Sequence, residues 1–150
     1  MKALTLWQPW ASLWASGMKK YETRSWTTSY RGPIAIHAAI VKPSRLWNLI
    51  EPIVGAVRKA LRMDDLDDLP RGEIIAIADL VEIHEIKPDA LVDEFGTAFM
   101  GGMTISYNEL LFGDWTPGRY AWEIQNVQML DKPIPAKGKQ GLWNWEGITQ

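Results

Sequence analysis

Between Gly72 and Ile86 the chain carries apolar side chains at both alternating sets of positions as far as Leu80. Successive residues of a strand point to opposite faces, so such a run needs cover on each side. This predicts a long central strand in a covered sheet. Asp79 falls on the same face as Ile75, Ile77, Val81 and Ile83. A carboxylate among β-branched neighbours is either paired internally or faces a cavity.

The remaining segments fit around that strand. Lys2 to Leu6 reads as a first strand, followed by a short helix that Pro9 opens and Gly17 closes. A charged strand spans 20–26, and a turn at Arg31-Gly32-Pro33 leads to an apolar strand through Ile34, Ile36 and Ala38. Pro43-Ser44 opens a helical stretch to about Arg62, broken or kinked at Pro52, and an acidic loop runs from Asp64 to Pro70. Pro88-Asp89 starts a short helix, and the glycine-punctuated stretch Gly96 to Gly113 reads as irregular. Arg119 to Leu130 and Gly141 to Trp145 are the last strands. Strands with helices inserted between them predict an α+β fold, a small β-barrel with α-helical decoration, formed as one domain over residues 1–150.

Several chemistries are excluded at once. The chain has no cysteine, which removes disulfides, thiolate catalysis and cysteine-ligated metal sites. His37 and His84 are the only histidines, and neither has a second histidine at ligand spacing, although Glu82 and His84 share a strand face. No metal or other cofactor is expected. Gly101-Gly102 lacks the lysine and the strand–helix context of a phosphate loop, and no serine–histidine signature is present. The apolar runs are too short to span a bilayer, so no membrane partner and a cytoplasmic setting are expected. Oligomeric state is not set by the sequence.

Charge is unevenly distributed. Residues 1–62 hold ten Lys/Arg against two acids, whereas 63–95 hold eleven acids against Arg71 and Lys87. The asymmetry allows a basic face that attracts phosphate, unless the two segments lie together and cancel.

The densest polar cluster is Gly17-Met18-Lys19-Lys20-Tyr21-Glu22-Thr23-Arg24, with Trp26 and Arg31 close behind. On an extended chain Lys20, Glu22, Arg24 and Trp26 share one face, with Lys19 at its mouth. A cation, an anion, a guanidinium and an indole on one wall suit a planar polar ligand such as a nucleobase; the same pattern also describes a surface ion-pair ladder. Of the nine tryptophans, Trp10 and Trp14 have helical spacing with Leu13 and are assigned to packing. Trp7, Trp26, Trp143 and Trp145, beside polar residues near strand ends, are the stacking candidates. A second cluster, Lys137-Gly138-Lys139-Gln140 followed by Trp143-Asn144-Trp145, places cations and an amide on a glycine-rich turn that suits phosphate and base edges, or else forms a plain polar turn.

Taken in order, Leu6-Trp7-Gln8-Pro9-Trp10-Ala11-Ser12-Leu13, Gly17-x-Lys19-x-x-Glu22-x-Arg24, Tyr30-Arg31-Gly32-Pro33, Ile36-His37-Ala38, Gly118-Arg119-Tyr120-Ala121-Trp122-Glu123 and Lys137-Gly138-Lys139-Gln140-Gly141-Leu142-Trp143 resemble the ASCH domain, in its compact bacterial and phage-type form. The resemblance runs from residue 3 to 146. It implies a PUA-like β-barrel and binding of RNA or single-stranded nucleic acid. Lys19, Arg24, Arg31, Lys137 and Lys139 would contact phosphate or sugar, and Gln8, Glu22 and Gln140 base edges. Trp26 or Trp143 would supply a stacking face. The alternative it implies is a hydrolase acting on RNA or on an N4-acylated cytidine, a modified nucleoside, with Lys19 and Glu22 as base and acid. In that subgroup a threonine stands where this chain has Glu22, and Asp79, Glu82 and Glu109 are all open as the further carboxylate.

Overall fold

The computed structural model describes residues 1–88 and 91–147, with the backbone alone at Leu91. The strands are β1 (Lys2–Leu6), β2 (Tyr21–Arg24), β3 (Gly32–Ala38), β4 (Glu73–Glu85), β5 (Leu91–Val92), β6 (Ala98–Met100), β7 (Met103–Ile105), β8 (Tyr120–Pro135) and β9 (Leu142–Asn144). The helices are α1 (Trp10–Ala15), α2 (Ile53–Leu61) and α3 (Tyr107–Leu111). A six-stranded sheet has the order β2-β8-β4-β3-β1-β9, and β5-β6-β7 form a separate three-stranded sheet. β1 and β3 run parallel; the other neighbours are antiparallel.

β4 is the central strand its apolar pattern predicts. One face of the sheet carries the main core, in which Leu4, Leu6, Ile34, Ile36, Ile75 and Leu80 close around Trp14 and Trp122. The opposite face at the β1 end is covered by the C-terminal segment, where Ala3, Ala35 and Ile74 meet Trp143 and Trp145. The β4–β8 ladder shifts register at Ile74/Ala76, Ile77/Asp79 and Leu80/Glu82. Such bulges increase twist and bend the strands, so the sheet curls. The result is the α+β, PUA-like barrel architecture expected from sequence, with β2 and β9 as the sheet's edges. Asp79 proves to be paired: it accepts a hydrogen bond of 3.1 Å from Asn126 Nδ2, a residue that takes a left-handed conformation (φ 54°) within the strand.

Three expectations need correction. The stretch from Pro43 to Arg62 does break at Pro52, as expected, but before the break only the 3-10 turn Pro43–Arg45 is helical; Pro52, which has no N–H to continue a helix, sits at the start of α2. The stretch read as irregular contains β6, β7 and α3. Ala98, Met100, Met103 and Ile105 are buried while Phe99 and Thr104 are exposed, a period-two pattern around a Gly101-Gly102 turn with φ of 50° and 84°. β8 continues to Pro135, five residues past the expected Leu130, still paired with β4 through Ile134 and Pro135. The helix expected to start at Pro88-Asp89 falls partly outside the described residues, and Leu91–Val92 just beyond are strand β5 rather than helix.

Candidate functional site

The site is assembled where α1 gives way to β2. Gly17 (φ 83°) turns the chain, and Lys19 then donates its backbone N–H to Leu13 O at 2.9 Å. That turn sends the Lys19 side chain inward, and its Nζ donates to Tyr21 O and to Glu22 Oε1, both at 2.6 Å. Lys19 is 1% exposed. Glu22 Oε2 accepts from Arg24 Nε at 3.2 Å, and Arg24 Nη2 reaches on to Thr5 O at 2.9 Å. Arg24 therefore links an edge strand, β2, to β1. The expected Glu22/Arg24 face is present, but Lys20 does not share it: its ammonium lies 5.2 Å from the centre of the Tyr21 ring.

Burial works to raise the pKa of Glu22, yet the charges and hydrogen bonds of Lys19 and Arg24 outweigh it and hold the carboxyl below its ordinary value. Glu109, from α3, supports the same turn from behind. Its carboxylate accepts the N–H of Lys20 at 2.6 Å and of Tyr21 at 3.3 Å. Burial pushes Glu109 above its ordinary pKa, against the pull of those amides and of Lys19 and Lys20. Of the three carboxylates left open by the sequence, Glu109 is the one set beside Lys19; Asp79 is held by Asn126, and Glu82 by Arg31 at 3.1 Å.

Glu22 opens onto a cleft of about 280 Å³ lined also by Thr23, Asn48 and Asp114, with Trp10 and Phe112 as its apolar flank. Thr23 Oγ1 accepts from the Asp114 N–H at 3.0 Å, fixing one rim, and the Trp10 and Phe112 rings pack 6.3 Å apart. Lys19 is not part of the lining. Its expected contact with phosphate is closed off, because its ammonium is turned into the protein and held beneath Glu22.

Two more expected contacts are closed by burial. Gln8 is fully buried: its Nε2 donates to Ser12 Oγ and Pro70 O, each at 2.8 Å, and its Oε1 accepts the Ser12 N–H at 3.0 Å. It pins α1 to the chain before β4 and leaves no base-reading edge. Trp143 is 7% exposed, donates to Thr5 Oγ1 at 3.0 Å and stands edge-on to His37. Trp145 is buried as well, whereas Trp7 is exposed and Trp26 is half-buried, edge-on to Trp122. Arg31 is exposed and bonds Thr28 O, Tyr30 O and Glu82, away from the cleft.

Lys137, Lys139 and Gln140 are exposed and lie together, but over a different cavity of about 620 Å³ that includes Thr5 and His37. Thr5, which carried no signal in the sequence, stands between the two clusters: its carbonyl holds Arg24 and its hydroxyl holds Trp143. The opposed charged segments cancel in part. Arg31 of the basic segment pairs with Glu82, and Asp67 is held below its ordinary pKa by hydrogen bonds from Ser44, with Lys42 and Arg71 nearby. Among the described residues no cluster of three His, Asp or Glu side chains could hold a metal ion, and no helix is long and apolar enough to cross a membrane.

The motifs that build this turn and cleft are those of a known domain, and a model of the ASCH domain matches residues 4–134. The chain belongs to the ASCH domain family. Human activating signal cointegrator 1 is 38% identical over 82 residues, a match covering 53% of this chain and 14% of that protein. The mouse protein of the same name is 37% identical over 82 residues with the same coverage. The matched region is thus a small part of those relatives, and this chain spans about a seventh of their length.

Proposed function

We propose that this ASCH domain binds RNA or another single-stranded nucleic acid, with one base entering the cleft beside Glu22. The observation that carries this reading is a buried, ionised carboxylate held still from both ends. Lys19 takes one oxygen and Arg24 the other, so about two of the roughly four lone-pair sites of Glu22 remain for a ligand. A carboxylate can only accept, so it selects a base edge that donates N–H, such as the amino group of cytosine, adenine or guanine. Trp10 and Phe112 supply the apolar flank against which a ring can lie. Asp114 and Glu22 make the cleft itself unwelcoming to phosphate, so the strand's backbone runs over the cations outside it. Arg24, Lys137, Lys139 and Arg31 are those cations, with Gln140 and Trp26 as further edge and stacking contacts. Lys19 is a positioning residue that acts through Glu22.

The hydrolytic alternative has no comparable support. Lys19 does not line the cleft, and Glu22 occupies the place where the deacylating subgroup has threonine.

Fluorescence anisotropy with short homopolymeric RNAs tests the reading. Oligo-C, oligo-A and oligo-G, whose bases carry an exocyclic amino group, should bind more tightly than oligo-U, whose single N–H donor lies between two carbonyl oxygens that a carboxylate repels. Glu22→Gln and Arg24→Ala should each weaken binding roughly 10- to 100-fold, the worth of about 1.5–3 kcal/mol for a charge-assisted hydrogen bond. Asn48→Ala, an exposed position on the cleft wall, gives a variant that leaves the buried pairs intact and should weaken binding several-fold. Equal affinity of all three variants and the parent would remove the cleft from the binding site.

A further inference from the structure

The cavity under the C-terminal loop has features that the cleft does not explain. It lies on the face of β1 and β3 opposite the main core, and loop 137–140 closes one side. Its walls are largely apolar, with Ala39, Ile40 and Ala136 contributing. Set into the walls are two polar groups that keep unused capacity. His37 Nε2 lies 2.7 Å from the Ala136 carbonyl, which can only accept, so Nε2 carries the ring proton. Burial holds the His37 pKa below its ordinary value, so the ring is neutral and Nδ1 is a bare acceptor. Nδ1 is buried and has no partner among the described residues, in a residue 2% exposed. Beside it, Thr5 Oγ1 accepts from Trp143, which leaves the hydroxyl proton free to donate.

The rim is of the opposite character. Lys137 and Lys139 are exposed and form no ion pair among the described residues. Nor do the backbone N–H groups of residues 137–140 find an acceptor among them. Gly138 lies against the floor so closely that a side chain there would stand 2.7 Å from His37 Cε1. Two ammonium groups and free amides on one glycine turn favour a phosphate. An apolar chamber with one acceptor and one donor favours a heterocyclic body. The volume, about 620 Å³, lies within the range of small-ligand sites.

We propose that this cavity is a second ligand site, for a nucleoside monophosphate, with the phosphate on Lys137 and Lys139 and the base against His37 and Thr5. The nucleotide is either free or the phosphate-bearing end of a strand. The inference stands on this cavity alone and does not require a base in the cleft.

Isotope-labelled protein titrated separately with adenosine monophosphate, adenosine and inorganic phosphate tests it by NMR. The monophosphate should shift the Gly138 and Lys139 amides and the Trp143 indole N–H, and bind at least about tenfold more tightly than either fragment. The double variant Lys137→Ala/Lys139→Ala should lose at least about tenfold in that affinity while keeping the parent's spectrum elsewhere. A dinucleotide with a terminal phosphate identifies the source: tighter binding than the monophosphate points to a strand end, equal binding to the free nucleotide. The proposal is overturned by an unmoved Gly138 amide, by unchanged affinity in the double variant, or by shifts confined to Thr23, Gly113 and Asp114. That last pattern would instead support the cleft, so the two sites fail separately.

Discussion

Lysine does opposite work in two regions of this domain. Behind the wall of the cleft, Lys19 is buried and its ammonium is held by two protein oxygens; Glu22 and Arg24 continue the chain of pairs to Thr5. In loop 137–140, Lys137 and Lys139 stand in solvent with no ion pair among the described residues. A buried charge loses its hydration and must be fully paired, so its contribution is geometric: it fixes a neighbour in place. An exposed, unpaired charge fixes nothing and is available to an incoming anion. The same residue type therefore marks scaffold in one place and contact surface in the other, and burial decides which.

The largest effect should come from breaking the buried side of that comparison. Lys19→Ala leaves the buried Glu22 carboxyl without its nearest partner, and removing one member of a buried pair costs about 3–5 kcal/mol. Urea denaturation measures it directly. The double variant Lys19→Met/Glu22→Gln, which removes both charges, should recover much of the loss. A Lys19→Ala cost below about 1 kcal/mol would mean that the pair is solvated like a surface bridge.

Glu109 and Glu22 sharpen the contrast within the buried group, because their pKa values move in opposite directions from 4.5. Glu22 is depressed, so its contribution to stability is present above 4.5 and is lost as the pH falls through its folded value. Glu109 is raised, so folding favours its protonated form, and that contribution is lost as the pH rises from 4.5 through its folded value. On acidification from about pH 7 to about pH 3, stability should first gain from Glu109 and then fall with Glu22. Glu109→Gln should remove the gain and also cost about 1–3 kcal/mol at neutral pH, since an amide meets the Lys20 and Tyr21 N–H groups with one acceptor instead of two. Denaturation midpoints across that pH range provide the check, and parallel profiles for parent and variant would refute the assignment.

Much of this was legible in the residues, and the failures have identifiable causes. Central strand β4 was plain because apolar side chains on both strand faces admit few other arrangements. The Glu22–Arg24 face followed from the period of a strand. The partner of Glu22 did not, because Lys19 lies before the strand and reaches it only through the turn at Gly17, a tertiary event without a periodic trace. Gln8 and Trp143 look like ligand-binding residues in composition, and only burial shows that Ser12, Pro70 and Thr5 occupy their polar atoms. Glu109 did leave a signal: Ser106-x-x-Glu109 is the pattern of a helix start, and Ser106 Oγ does accept the Glu109 N–H at 3.2 Å. Reading Gly101-Gly102 as a hairpin turn would have exposed the alternation of β6 and β7 as well.

On the exposed side, the loop should tolerate bulk poorly and charge loss well. Gly138→Ala brings a methyl to 2.7 Å from His37 Cε1, 2.9 Å from Nδ1 and 3.0 Å from Thr5 Oγ1. The His37 ring is held by Ala136 and Trp143 and has little room to yield. Overpacking of this kind costs about 1–3 kcal/mol, less here if the loop lifts as a unit. A neutral Gly138→Ala would mean that loop 137–140 does not rest on His37 in solution.

The smallest effect on stability should belong to Lys137→Ala/Lys139→Ala, within about 0.5 kcal/mol of the parent, because neither side chain has a partner to lose among the described residues. Its effect should fall on the salt dependence of RNA binding instead. Each single-strand phosphate contact contributes about 0.7 to the slope of log K against log salt, so losing both should flatten it by about 1.4. Lys19→Met gives the mirror image, a destabilised domain whose salt slope matches the parent's, since its ammonium never meets phosphate. If instead Lys19→Met flattens the slope and the loop variant does not, burial has been the wrong guide to which cations bind, and the roles of the two regions must be exchanged.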